Sequence, residues 1–379
     1  MIRKSVSATC LALCLSLVMS GSGLAQSSDP VRARDLGIPF PGSPGPNNAI
    51  TDVAGVTVGH ATIVDGDTVR TGVTVVFPLG AQDPRGVRAA TAQINGTGEM
   101  TGTHLIDETG LLFGPILTTN TWSVGTVRDG YLRWVRETYP EDLWFLFSLP
   151  VVAETSDFPL NDMFGMHVQP EHVAEAIANA ASGPVTEGNV GGGTGTLAYG
   201  FKGGIGTASR QVTIDGEIYT VGVLLQANHG LRENLRIAGV PVNDIVGPLQ
   251  SGPALDADRN SLIIIVATDA PLRPDQLQRI ANRAELGLGR TGSIVSGFSG
   301  DLVIAFSTSG PLELEPFGSI EFISFLNVST LNALFGATVE AVEEALINQL
   351  VASETMTANG FTAEALPHAA VLDYFRPDQ

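Results

Sequence analysis

The chain reads as an α/β protein in which helices cover a central pair of sheets, and three observations predict this. Residues 262–266 and 302–306 are continuous apolar runs of strand length, the pattern of strands buried on both faces. Residues 53–94 break into short β-type runs separated by Gly, Asp and Pro. Leu277, Ile280, Ala281 and Ala284 follow helical 3, 4, 7 spacing, and residues 329–352 form a longer helical stretch with an apolar face.

Taken in order, residues 26–50 are rich in Pro, Gly and Ser without a period and read as an arm or linker, which when ordered is expected to lie on a neighbour. Strands follow at 55–58, 71–76 and 87–94. Asn95-Gly96-Thr97-Gly98-Glu99 is glycine-rich and on its own residues reads as a turn. A modest helical pattern covers 129–137, with Tyr131, Leu132 and Val135. An apolar strand then runs from Pro150 into Glu154, an acid that is either a cap or a binding group. Residues 170–182 give a short helix and 188–195 a second glycine-rich loop. Val212-Thr213-Ile214 and Ile218-Tyr219-Thr220-Val221 flank Asp215-Gly216, a tight hairpin signal. The second of these strands continues to Asn228, whose amide is either a turn former or a donor to an oxyanion. Pro274 opens a helix that Gly287 ends, and the 329–352 helix carries a break signal at Gly336.

Residues 1–25 carry Arg3 and Lys4, an apolar centre from Leu11 to Met19, and a small-x-small site at Gly23-Leu24-Ala25. This predicts a secretory signal and a periplasmic or secreted protein. The apolar centre is shorter than the roughly 20 residues that a membrane span needs. Both cysteines, Cys10 and Cys14, fall inside this segment, so no disulfide, thiol catalyst or cysteine metal site is expected in the mature chain. The formal charge of −19 becomes more negative once Arg3 and Lys4 are removed, which argues against nucleic acid and membrane surfaces as partners.

Several motifs fail. Gly287-Leu288-Gly289-Arg290-Thr291-Gly292 spells the dinucleotide fingerprint but follows a helix rather than a strand, and reads as a helix stop. Ser299 misses a nucleophile elbow because Asp301 stands where glycine is required. His167 and His172 flank Glu171 at no standard zinc spacing, so neither metal nor cofactor is expected. Chemistry without thiol, metal or a Ser-His pair directs attention to Ser261. It opens an apolar strand after 251–260, a polar segment of the kind that is cut. As a chain terminus it would join a hydroxyl to an α-amine of pKa about 8, a nucleophile carrying its own base. A serine that merely starts a strand is the other meaning of Asn260-Ser261.

Longer motifs add to this. Asn260-Ser261-Leu262-Ile263-Ile264-Ile265-Val266-Ala267-Thr268-Asp269-Ala270-Pro271-Leu272, with Gly287 to Gly292 and Ser299-Gly300-Asp301, resembles the β-peptidyl aminopeptidase and D-aminopeptidase family of self-cleaving serine hydrolases. Upstream, Asn95 to Gly102, Pro150 to Thr155 and Val223 to Asn228 are similar to the same family, as is Ala365-Leu366-Pro367-His368. The resemblance thus spans nearly the whole mature chain.

The resemblance implies a four-layer αββα sandwich similar to N-terminal nucleophile hydrolases, with its own connectivity. It implies a precursor cut between Asn260 and Ser261, giving a larger chain (51–260, behind the arm) and a smaller one (261–379) in one combined catalytic domain. By family position Ser261 is the nucleophile, Ser299 and Asp301 handle protons and orient it, Asn228 steadies the oxyanion, and Glu154 holds the substrate's free amine. There are two departures. Asp301 stands where family members more often have Glu, and Ser156 stands where the D-aminopeptidase branch has Tyr, in the wall of the substrate pocket. The export signal and the Asn-Ser bond favour the β-peptidyl branch. The expected activity is release of N-terminal β-amino acids from small peptides and amides, without cofactor, by a tetramer of cleaved pairs. The alternatives are an L- or D-α-amino acid aminopeptidase, amidase or esterase on the same scaffold, an ornithine acetyltransferase-like enzyme, and a non-enzymatic periplasmic binding protein.

Overall fold

The structure is a computed structural model describing residues 31–142, 145, 148–248, 261–312 and 323–376. The predicted signal segment and Asn260 lie outside the described residues. Strands β1 (Thr57–Asp65) and β2 (Val69–Phe77) pair antiparallel. They are followed by β3 (Val87–Gly96), helix α1 (Thr103–Thr109), the short β4 (Leu111–Leu112) and β5 (Ile116–Asn120). Helix α2 (Val124–Thr138) leads to β6 (Val151–Thr155) and α3 (Pro170–Ala178). A small hairpin, β7 (Leu197–Ala198) and β8 (Phe201–Lys202), precedes the long antiparallel pair β9 (Gly204–Ile214) and β10 (Glu217–Asn228). That pair turns on Asp215 (φ 52°) and Gly216 (φ 89°), the two left-handed residues that the Asp-Gly signal anticipates. Then come β11 (Arg236–Ile237), β12 (Val240–Pro241), α4 (Val242–Val246), β13 (Ser261–Thr268), α5 (Pro274–Ala281), α6 (Ala284–Arg290) and β14 (Gly300–Ser307). Helix α7 (Leu331–Ala352), the hairpin β15 (Met356–Ala358) and β16 (Phe361–Ala363), and α8 (His368–Phe375) complete the described chain.

Among the described residues, one sheet has the order β1-β2-β5-β6 and a larger one the order β4-β3-β14-β13-β10-β9. Alternate side chains of each strand serve different layers. Ile263, Ile265, Leu302 and Ile304 of the larger sheet meet Val76, Ile116 and Val151 of the smaller one. Their neighbours Leu262, Ile264, Val303 and Ala305 turn the other way, onto Leu277 of α5, Leu288 of α6 and Leu346 of α7. The outer face of the smaller sheet packs on Val127 and Tyr131 of α2 and Val173 of α3. The molecule is therefore helix, sheet, sheet, helix, as the resemblance implied.

Three sequence expectations are corrected, and one strand is new. From Val31 onward the segment read as an arm on a neighbour packs on its own chain: Ala33, Leu36 and Ile38 are buried, and Arg34 pairs with Glu344 at 2.7 Å. The helix opened by Pro274 ends at Ala281, and α6 runs straight through Gly287, where a Cβ would lie 2.6 Å from that of Val342. Close packing on α7 therefore selects that glycine, and the true stop is Gly292, at φ +85°. Helix α7 does not break at Gly336, nor has it a single apolar face: Glu344, Asn348 and Gln349 are as buried as Leu346. Finally, β5 was not anticipated, because Thr118, Thr119 and Asn120 make it look polar although all are buried.

Candidate active site

Ser261 is the first residue of β13, flanked by β10 on one side and β14 on the other. In register it faces Asn228, the last residue of β10, and Gly300, the first of β14. By alternation with Ile263 its side chain belongs to the face between the sheets, where it is 7% exposed. Asn228 Oδ1 accepts from Leu197 N–H at 2.9 Å, so the side chain's Nδ2 is left as a donor at this strand end. The hairpin carrying Leu197 is held by buried Lys202, whose Nζ donates to the carbonyls of Gly193 (3.2 Å) and Gly203 (2.6 Å). Burial brings that ammonium down to about 7.

Glu154 lies across the gap, on β6 of the smaller sheet, and is buried. Its Oε1 accepts from Glu99 N–H at 3.1 Å and its Oε2 from Thr121 Oγ1 at 2.5 Å. Burial raises its pKa, opposed by those two donors. The loop read as a plain turn makes the connection. Thr97 N–H donates to Ser299 O at 3.2 Å, and a Cβ on Gly98 would stand 3.0 Å from Gly300 Cα and 3.2 Å from Glu154 Oε1. The carboxylate and the Ser261 strand end are thus joined through two glycine backbones in contact. Below them Gln226 Nε2 bridges the sheets, donating to Thr119 O (2.9 Å) and Thr155 Oγ1 (2.8 Å).

Ser299 and Asp301 sit on the other side of β14. Asp301 alternates with Val303, and so faces the helices, while its register partner Leu262 points the same way. Burial pushes the Asp301 carboxyl up to about 6, and the neighbouring Ser299 hydroxyl acts against that rise. Ser156, one residue beyond β6, is turned to its own loop: its Oγ accepts from Phe158 N–H at 3.3 Å and lies 3.8 Å from Met163 Sδ. The structure therefore gathers Ser261, Asn228 and Glu154 in the inter-sheet space, Ser299 and Asp301 beside the strand end, and leaves Ser156 at the rim.

Three features escaped sequence reasoning. Thr121 anchors Glu154, and Trp122 beside it meets Phe164 edge-on at 4.8 Å with both rings largely exposed. His229, next to Asn228, is buried with its ring 4.8 Å from that of Tyr199. Only the Asn-His adjacency was visible beforehand. Among the described residues there is no group of three or more His, Cys, Asp or Glu side chains able to hold a metal ion, and no helix long and apolar enough to cross a membrane.

A strand-initial serine with an amide donor and a buried carboxylate in an αββα sandwich defines a serine hydrolase of the N-terminal nucleophile fold. Solved structures agree: a Burkholderia sp. β-aminopeptidase (44% identity, TM-score 0.83, 92% of this chain and 99% of that one) and the L-aminopeptidase D-Ala-esterase/amidase of Ochrobactrum anthropi, a variant of that fold (42%, 0.84, 91% and 98%). The β-peptidyl aminopeptidases BapA of Sphingosinicella xenopeptidilytica and Sphingosinicella microcystinivorans are 50% and 46% identical, over 94% and 93% of this chain and 94% of each relative. The model of peptidase family S58 matches residues 48–363, and the chain belongs to that family. It is a serine aminopeptidase.

Proposed function

We propose that the chain is exported, cuts itself between Asn260 and Ser261, and then releases N-terminal β-amino acids from peptides and amides through an acyl-enzyme on Ser261. The observation that carries this is the position of Ser261: it begins the strand between β10 and β14, with Asn228 in register beside it and Glu154 tied to the same strand end. In the first reaction Ser261 Oγ attacks the Asn260 carbonyl carbon, its proton passes to the Ser261 nitrogen, and the peptide C–N bond breaks to leave an ester on Oγ and a free α-amine. Water then hydrolyses the ester, leaving the Asn260 carboxylate and a free Ser261 hydroxyl.

In the second reaction Glu154 takes the substrate's ammonium by a charge-assisted hydrogen bond, which restricts attack to N-termini. The Oγ of Ser261 adds to the acyl carbonyl while its proton passes to the base, the Ser261 α-amine or the Ser299–Asp301 pair. Asn228 Nδ2 donates to the oxyanion, a contact whose loss costs on the order of a hundredfold or more in rate. The leaving amine departs with the proton, and water hydrolyses the acyl ester. Ser156 leaves no large side chain in the wall beside Glu154, which is room for the extra backbone carbon of a β-amino acid; the β-peptidyl activity of the BapA relatives supports the same branch. Processed pairs assemble as tetramers in this reading.

Denaturing electrophoresis tests the first step: two bands are expected, the smaller beginning at Ser261, and one persistent band from active protein overturns it. Ser261→Ala should give an intact, inactive precursor. Rates on β-alanyl, L-alanyl and D-alanyl anilides test the branch. Faster cleavage of the L-alanyl compound would replace the β reading with an α-aminopeptidase on the same scaffold.

A further inference from the structure

A cleft on the helix side of the strand end is lined by His229, Asn234, Ser293, Ser299 and Asp301. Two polar groups in it are orphaned. Among the described residues, neither ring nitrogen of His229 has a hydrogen-bond partner, and neither has Asp301 Oδ2, although all three atoms are buried. A neutral imidazole offers one donor and one acceptor, an ionised carboxylate only acceptors. Buried polar atoms left unpaired are destabilising, so two such groups in one cleft call for a shared partner. Burial holds the imidazole neutral by lowering its pKa to about 4. Tyr199 is an ionisable neighbour as well, and its hydroxyl is engaged with Thr291 at 2.7 Å. Arg232, on the same loop, is stacked 4.0 Å from the Phe201 ring.

We propose that His229 is a positioning residue for Asp301: a ring N–H donates to one bridging water, which donates to Asp301 Oδ2, holding the carboxylate against the Ser299 hydroxyl. The arrangement suits the short reach of aspartate, whose second oxygen would otherwise be left without a partner. The inference rests on Ser299–Asp301 being the proton-handling pair.

The test is a double-mutant cycle read through pH profiles of kcat and KM on a β-alanyl anilide, using the processed enzyme. His229→Phe and His229→Leu remove the donor. A donor favours the ionised carboxyl, so its loss raises the Asp301 pKa: the acid limb of kcat should move up by about one pH unit and kcat at about pH 5, on the acid side of that limb, fall about tenfold. KM should stay within about twofold, because nothing that holds the substrate is touched. His229→Gln, which keeps a donor and an acceptor, should retain the parental profile. In an Asp301→Glu background, whose longer side chain reaches further, His229→Leu should cost less than about twofold, the mark of two residues acting as one unit. Equal losses in both backgrounds, an unmoved acid limb, a loss carried by KM, or a Gln variant shifted as far as Leu would overturn the proposal. Full activity in Asp301→Asn would instead remove the pair on which it rests, and so separates the two failures.

Discussion

Asp301 is 1% exposed and has an orphan oxygen, so its charge is unfavourable in the folded protein. A folded pKa of about 6 lies above the ordinary 3.8, so the folded state binds the proton more tightly. Its ionisation therefore costs nothing well below pH 3.8, costs progressively more as pH rises towards 6, and costs its full amount above that, up to about 3 kcal/mol. Asp301→Asn is expected to raise the melting temperature above pH 6, by an amount that vanishes near pH 3, while lowering kcat by about a hundredfold or more. Thermal unfolding against pH checks the first and steady-state kinetics the second. Glu154 has a different task. Glu154→Gln keeps the Thr121 and Glu99 contacts but removes the charge, so KM for substrates with a free amine should rise about tenfold or more with a smaller change in kcat. The role of Ser261 as nucleophile came from the family resemblance, whereas its place at the head of a buried strand was legible in the apolar run that follows it. His229 was not, because an imidazole without a partner is visible only once its surroundings are built.

At the scale of elements, the link between Glu154 and the strand that Ser261 opens runs through backbone approach, not side chains. Gly300 has no room for a Cβ, which would fall 2.7 Å from both Gly98 Cα and Thr97 O. Gly300→Ala must push the 95–99 loop away from β14, and with it the Glu99 N–H that holds Glu154. The expected result is retarded self-cleavage and a raised KM in whatever protein is processed, followed by the rate of precursor disappearance on gels. The loop's composition announced tightness, but a turn and a close crossing demand the same glycines. Trp122 belongs to this scale too, because the turn that aims Thr121 at Glu154 also presents the indole beside Phe164. Trp122→Ala should raise KM for N-terminal residues with bulky apolar side chains by about tenfold while leaving β-alanyl substrates nearly unchanged. The apolar runs of β13 and β14 were plain in the sequence. The polar β5 and the all-round burial of α7 were not, since Thr118, Glu344 and Asn348 are acceptable inside only because partners from distant segments meet them, as Arg34 and Arg210 meet Glu344 at 2.7 Å.

At the scale of the whole molecule, the four layers were foreseen while the fate of the first described segment was not, because Pro and Gly hide a path that tertiary contacts fix. That path bears on what the proposed cleavage would do to the protein. The order β3-β14-β13-β10 places the two strands that follow Ser261 between two that precede it, with β14 antiparallel to β3 and β13 antiparallel to β10. Helix α7, also from the later part, covers β9 and β10 and takes Arg34 and Arg210 from the earlier part onto Glu344. Separating the pieces would break two ladders, open the inter-sheet core, and leave Arg210 buried without its carboxylate, a loss of about 3–5 kcal/mol on its own. The processed chains should therefore behave as one folded unit. They should co-elute on size exclusion at every concentration tested, lose no activity on dilution, and unfold in a single transition by both near-UV and far-UV circular dichroism. Glu344→Gln should lower that one transition without dividing it. A concentration-dependent loss of the smaller chain, or a second transition in the variant, would show that the interleaved sheet does not hold the pair together.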